Sequence, residues 1–262
     1  MFRNLASLFR YRGLIQSLVA RDLKARYRGS MLGFFWSFVN PLLLLLVYSF
    51  VFSTIMPNTT KDIQPYALFM FCGILPWTWF SSALSEATNS LIAGGNLIKK
   101  VLFPAEVLPI VSVFSNMIHF FLGLPILLGF MIARGHLPSF PAVMWFPVIV
   151  LIQLIFTIAC VLLMSALTVH FRDLRDLLAN MITLWFFMTP IIYSYKLASV
   201  QSYLQFFRLN PMYHVIVAYQ ESLFWPVFGH YAVLWLGVIS IAFFLATYWV
   251  FDRLRDSFAE VV

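Results

Sequence analysis

Runs without a single Asp, Glu, Lys or Arg dominate the chain, at 29–60, 63–85, 107–133, 135–171, 177–195 and 222–251. A helix needs ~20 apolar residues to cross the ~30 Å hydrocarbon core of a bilayer. The pattern therefore predicts six spanning helices, at about 31–55, 66–89, 107–133, 142–169, 177–195 and 231–251. No water serves the backbone in hydrocarbon, so a spanning segment is either a helix or a strand of a closed barrel. Barrel strands are ~10 residues of alternating polarity, whereas these runs are longer and uniformly apolar. The expectation is an all-α integral membrane fold, with residues 1–262 forming one transmembrane domain.

Three segments between the spans keep a pattern of their own. Residues 13–28, GLIQSLVARDLKARYR, place Leu14, Leu18 and Tyr27 on one helical face and Arg21, Lys24 and Arg28 on another. That arrangement suits an amphipathic helix lying in a membrane interface. Residues 90–106 break at Gly94-Gly95, restart at Asn96 as a capping residue and stop at Pro104, which predicts a short helix over about 96–103. Leu97, Ile98, Val101, Leu102 and Phe103 are apolar residues on a loop, which marks a docking surface. Residues 196–230 are rich in aromatics and are divided by Asn210-Pro211. Two re-entrant half-helices hinged there fit better than a solvated loop, since irregular backbone at membrane depth must be covered by protein or line a cavity.

Composition agrees with the pattern: 62% of residues are hydrophobic and only 10% are charged, against roughly 25% charged in soluble domains. Lys and Arg outnumber Asp and Glu by 17 to 10. In a membrane chain such an excess sets orientation, and the aromatics sit in apolar runs, so nucleic acid is excluded as a partner. With six spans and both termini cytoplasmic, 13 of the 17 basic residues fall inside; Lys61, Arg134, Lys196 and Arg208 fall outside. Cys72 and Cys160 lie within apolar runs as free thiols, and no metal-ligand spacing occurs.

The chain carries no energy source of its own. It lacks the phosphate-binding G-x-x-x-x-G-K-[ST] loop, H-E-x-x-H, G-x-S-x-G and G-x-G-x-x-G. Its five histidines are scattered, and mid-span His119 reads as a structural, hydrogen-bonded residue. No carboxylate lies deep in a span, which weakens an ion-coupled carrier; Glu86 and Glu106 sit at span ends, within reach of Lys99 or Lys100. Aromatic rings crowd the first, second and fifth spans. Phe35, Trp36, Trp79, Trp185 and Tyr193 are candidates to line a passage for sugars, and Pro41, Pro76, Pro125 and Pro190 are expected to kink their spans.

Several motifs together resemble a known family. They are the basic run before Gly29-Ser30-Met31-Leu32-Gly33 with Trp36 and Asn40-Pro41, the loop Asn96-Leu97-Ile98-Lys99-Lys100-Val101-Leu102-Phe103-Pro104, Phe171-Arg172-Asp173-Leu174-Arg175, Thr189-Pro190-Ile191-Ile192-Tyr193 and Leu209-Asn210-Pro211-Met212. In order and spacing they are similar to the membrane subunit of type-2 ABC exporters, specifically permeases for lipid-linked polysaccharides such as O-antigen, capsule and teichoic acid. The family usually has Arg or Lys after the Phe-Pro of that loop, where this chain has Ala105-Glu106. The resemblance implies a homodimer in the cytoplasmic (inner) membrane with two copies of a separate ATPase. That partner would bind ATP and Mg, and this chain would bind no cofactor and catalyse no reaction. Arg21, Lys24 and the 96–103 helix would meet the ATPase, and the external half-helices would close the channel. The other classes left open are an exporter of a small lipid or drug, an ion-coupled secondary carrier or flippase, and a membrane transferase.

Overall fold

The computed structural model describes residues 11–55, 63–99 and 103–261. Every regular element among the described residues is helical. In chain order the α-helices are α1 (Arg12–Arg26), α2 (Trp36–Phe50), α3 (Tyr66–Ala93), α4 (Gly95–Ile98), α5 (Val107–Ala133), α6 (Phe140–Val143), α7 (Phe146–His170), α8 (Leu174–Phe187), α9 (Ala198–Gln201), α10 (Leu204–Phe207), α11 (Pro211–Leu223) and α12 (Ala232–Val261), with a 3-10 turn at Gly33–Phe35 before α2 and a π-helical turn at Val51–Ile55 after it. Five stretches are long and apolar enough to cross a membrane: Gly33–Phe50, Tyr66–Ala93, Val107–Ala133, Phe140–His170 and Ala232–Arg255. The chain is a multi-pass, all-helical membrane protein.

The expected fifth span, 177–195, is not one helix. α8 has 14 residues, a rise of ~21 Å against the ~30 Å of a hydrocarbon core. Pro190 explains the stop, because it has no N–H to give and biases the residue before it away from helical angles. The turn beyond is held by protein. Gln220 donates from Nε2 to the carbonyl of Pro190 at 2.8 Å, and the Tyr66 hydroxyl donates to the carbonyl of Ile192. Pro41, Pro76 and Pro125, by contrast, lie inside continuous helices.

α3 is the centre of the bundle, covered by α2, α5, α7, α8 and α11. Between membrane helices no hydrophobic drive exists, so close approach rests on small residues. A Cβ at Gly123 of α5 would lie 2.5 Å from Cδ2 of Leu75, and one at Gly73 would lie 3.2 Å from Cγ2 of Ile216. Ala83 and Ala87 of α3 are fully buried for the same reason. A polar tie adds register: Gln153 of α7 donates to the carbonyl of Pro76 at 2.8 Å. A second cluster joins α7 to α12 through Leu162, Ala166, Val169, Tyr248, Phe251 and Phe258.

Among the described residues, the outward faces of α2 and α8 are exposed. On α2, Leu42, Leu43, Leu46, Val47 and Phe50 are exposed; on α8, Leu177, Met181, Leu184 and Phe187 are. α11 is the opposite case. From Met212 to Leu223, all but one of its residues are buried, against α3, α6, α7 and α12.

Candidate functional site

Two groups of side chains stand out, one at each end of α3. At the end carrying Ala93, α1 lies across α5 with Leu18 and Val19 buried against Val107 and Val111. The last turn of α1 is latched by charge. Arg26 donates from Nη1 and Nη2 to the two oxygens of Glu86 at 2.8 and 2.5 Å, and from Nε to Asp22 at 3.0 Å. Asn116 of α5 donates to Glu86 at 2.8 Å. A paired, bidentate guanidinium–carboxylate contact is both stronger and more directional than a point-charge pair. Glu86 therefore answers Arg26 rather than Lys99, because α3 stays helical for two further turns and aims residue 86 at α1. Asn116, a polar residue inside an apolar run, was the signal available in the sequence.

The expected 96–103 helix is shorter, Gly95–Ile98, and its N-cap is Gly94 rather than Asn96. Asn96 is exposed inside the turn, Leu97 and Ile98 are half-buried, and Lys99 is exposed. A Cβ on Gly94 would run into Cδ1 of Leu108 and lie 2.9 Å from the carbonyl oxygen of Ser90. Only glycine lets α3 pass into α4 here. Ile98 packs on the cluster of Leu91, Ala105 and Phe251, while Phe103, followed by Pro104 in irregular backbone, packs on Leu18 and Val111. Lys100 and Val101 lie outside the described residues. Arg21 and Lys24 are exposed on α1, and Arg21, Leu97 and Arg175 share a cavity of about 710 Å³. Glu106 is 2% exposed, and its Oε2 has no hydrogen-bond partner among the described residues. Burial pushes its carboxyl up, against an opposing pull from Arg255.

At the other end Asn210 is a junction. Its Oδ1 accepts from Trp185 Nε1 at 2.7 Å and from the N–H of Met212 at 3.0 Å. Its Nδ2 donates to the carbonyl of Met188 at 3.1 Å and to Oγ1 of Thr189 at 3.0 Å. Asn210 is thus the N-cap of α11, with Pro211 at the first helical position where no N–H is needed. The same side chain ties α11 to the end of α8. Sequence reasoning marked the break at 210–211 but not this tie, which pairs residues 25 apart.

The aromatic candidates separate by exposure. Phe35 is 70% exposed, and Trp36 is half-buried with Nε1 donating to Ser30 Oγ at 3.0 Å. Trp79 is 1% exposed, donates to the carbonyl of Val113 at 3.1 Å and stacks on Phe120, so its ring is used in packing α3 on α5. Trp185 is half-buried with its edge toward Trp77 and Phe80. Tyr193 donates to the carbonyl of Phe187 at 2.9 Å, closing the turn after α8. His119 is half-buried in α5 and meets the Tyr27 ring edge-on. It lines a cavity of about 380 Å³ with Asn40, Thr78 and Ser82.

Comparisons with known proteins follow the same outline. The profile of a family described as "ABC-2 type transporter" matches residues 13–224. The chain is 40% identical, over 100% of both chains, to a Myxococcus xanthus protein called O-antigen export system permease protein RfbA. It is 31% identical to a Klebsiella pneumoniae protein of the same name, over 99% of this chain and 97% of that one. It is also 28% identical to the Escherichia coli polysialic acid transport protein KpsM, over 32% of each.

Proposed function

This chain belongs to the ABC-2 type transporter family, and we propose that it is the membrane-spanning permease of an ATP-driven exporter that moves an O-antigen-like, lipid-linked polysaccharide across the cytoplasmic membrane. The observation that carries this reading is the end-to-end similarity to O-antigen export permeases. Two physical features support it. The sequence holds no nucleotide loop, so work must enter from a partner ATPase that binds ATP and Mg. α4, joined to α3 through Gly94, is a rigid element on which that partner can push.

In this reading 174–195 makes the fifth of six crossings as α8 plus its turn, which returns both termini to the cytoplasm. The 13-to-4 division of basic residues supports that orientation. Arg21, Lys24, Asn96, Leu97 and Lys99 face the ATPase, with Lys100 and Val101 in the adjoining segment; Ile98, Phe103 and Pro104 seat that surface on the bundle. The outward apolar faces of α2 and α8 are where a second copy docks, giving a homodimer with two ATPases. The polymer then passes between copies, beside Phe35, Trp36, Trp185 and Tyr193, with Trp79 backing the wall. α9–α11, hinged at Asn210 and Pro211, close the outer end.

The test is complementation in cells lacking the chain, with surface polysaccharide and ATPase copurification as readouts. Wild type restores export. Leu97→Ser releases the ATPase or uncouples it, while Lys99→Ala has the smaller effect, because exposed rim charges tune association more than they hold it. A Leu97→Ser chain that copurifies and exports normally overturns the assignment of α4.

A further inference from the structure

Residues 195–232 enclose a cavity of about 590 Å³. Glu221, 6% exposed, braces it by accepting from the Tyr195 hydroxyl at 2.6 Å and from the N–H groups of Gly229 and His230 at 2.7 Å each. That carboxylate is consumed as a cross-link. Beside it the rings of His214 and His230 stack with centroids 5.1 Å apart, and Tyr213 meets both edge-on.

The hydrogen bonds fix the histidine protons. Nε2 of His214 lies 2.9 Å from the carbonyl oxygen of Arg208, and a carbonyl only accepts, so that nitrogen carries its proton. Nδ1 of His214 is then the acceptor for the N–H at Nε2 of His230, 2.9 Å away. Nδ1 of His230 is left as an acceptor without a proton. Burial, with His214 and Arg208 adding, pushes His230 down to about 4, so it keeps that form at neutral pH. Two donors face the same space. The guanidinium of Arg208 has no carboxylate partner among the described residues, and the Tyr213 hydroxyl has no hydrogen bond among them.

A fixed acceptor, a guanidinium, a hydroxyl and several ring faces in one concavity match the chemistry of a sugar. A pyranose offers hydroxyls that donate and accept at once and C–H faces that lie on aromatic rings, and a few hundred Å³ is the size of a small-molecule site. We propose that this cavity is a carbohydrate subsite that holds one pyranose unit of the polymer at the outer end of the path, its hydroxyl donating to His230 Nδ1 and its oxygens accepting from Arg208 and Tyr213. The proposal rests on the export reading above and names a site within it.

The probe is a set of short oligosaccharides released by mild acid from the surface polysaccharide of the source cells, titrated into the detergent-purified permease–ATPase complex. Saturable binding in the roughly millimolar range is expected, weakened about tenfold by each of Arg208→Gln, Tyr213→Phe and His230→Phe, about one charge-assisted or buried hydrogen bond each. Thermal melts and ATPase copurification are followed in every variant; Arg208→Lys, Tyr213→Trp or His230→Gln replaces whichever variant at that position loses either. Absence of saturation, equal affinity in the triple variant, or equal competition by inorganic phosphate overturns the subsite. Complementation is run alongside. A wild-type chain that fails to restore export defeats the export reading, whereas intact export without oligosaccharide binding defeats the subsite alone.

Discussion

Asn210→Ala removes four hydrogen bonds with one truncation, and each has a size. Losing the cap on Met212 N–H costs ~1 kcal/mol. Trp185 Nε1 loses its only acceptor among the described residues while half-buried, ~1 to 2 kcal/mol, and the bonds to Met188 and Thr189 add ~0.5 kcal/mol each. The sum is about 3 to 4 kcal/mol, which for a domain of this size corresponds to a fall in melting temperature of roughly 6–16 °C. Asn210→Asp separates the terms. It retains both bonds to Oδ1 and gains a charge at the α11 N-terminus, yet it turns an oxygen toward the Met188 carbonyl, so its loss falls in between, ~1 to 2 kcal/mol. Pro211→Ala costs less than about 1 kcal/mol, because only unfolded-state entropy changes there. The assay is tryptophan-monitored melting in nanodiscs, paired with protease cleavage at 205–215 in sealed right-side-out vesicles. Cleavage should accelerate in Asn210→Ala and remain slow in Pro211→Ala. An Asn210→Ala chain melting within about 2 °C of wild type would falsify the account of Asn210 as the tie between α8 and α11.

Three further outcomes are expected. A double-mutant cycle on Arg26→Ala and Glu86→Gln should give a coupling of ~1 to 2 kcal/mol by thermal melting, moderated because both groups are partly exposed; additive losses would remove the latch. Glu106 holds its proton more tightly folded than unfolded, so it costs stability as pH rises above its ordinary value of 4.5. Glu106→Gln should accordingly raise the melting temperature at pH 7 to 8 and leave it unchanged at pH 4, and a variant that melts lower at pH 8 contradicts the burial argument. Gly94→Ala should separate ATP hydrolysis from export without dissociating the ATPase, since it shifts α4 against Leu108 and Ser90 while the Leu97 side chain that meets the ATPase is unchanged; normal coupling in that variant would show the joint to be tolerant.

The spans were legible because uncharged runs are a length measurement, and 107–133 matches α5 at both ends. The same measurement failed at 177–195. An uncharged run says nothing about whether the backbone stays helical, and Pro190 sits where α11, through Gln220, and α3, through Tyr66, satisfy the broken turn. Asn96 was misread for a local reason. A capping residue was sought after the glycine pair, whereas Gly94 itself makes the turn under the Leu108 side chain. Glu86, Asn116 and Arg26 form one constellation from three elements 30 and 60 residues apart. No periodicity carries that pairing; only the packing of α1 on α5 creates it. The histidine pair and its cavity were invisible likewise, since His214 and His230 are brought together by Glu221 gripping the loop at 229–230.

The shortness of α8 has a consequence for the lipid around it. A helix of ~21 Å beside neighbours built for ~30 Å leaves ~9 Å of mismatch on one flank. Hydrocarbon meets such a deficit by thinning, at a fraction of a kcal/mol per Å, or is replaced there by protein. Here the replacement is the turn 188–195 and α11, whose carbonyls at Pro190 and Ile192 are already satisfied. The apolar helical barrier along α8 is therefore about 9 Å shorter than a full hydrocarbon crossing, and the remainder is backbone whose polar groups are already paired rather than oil.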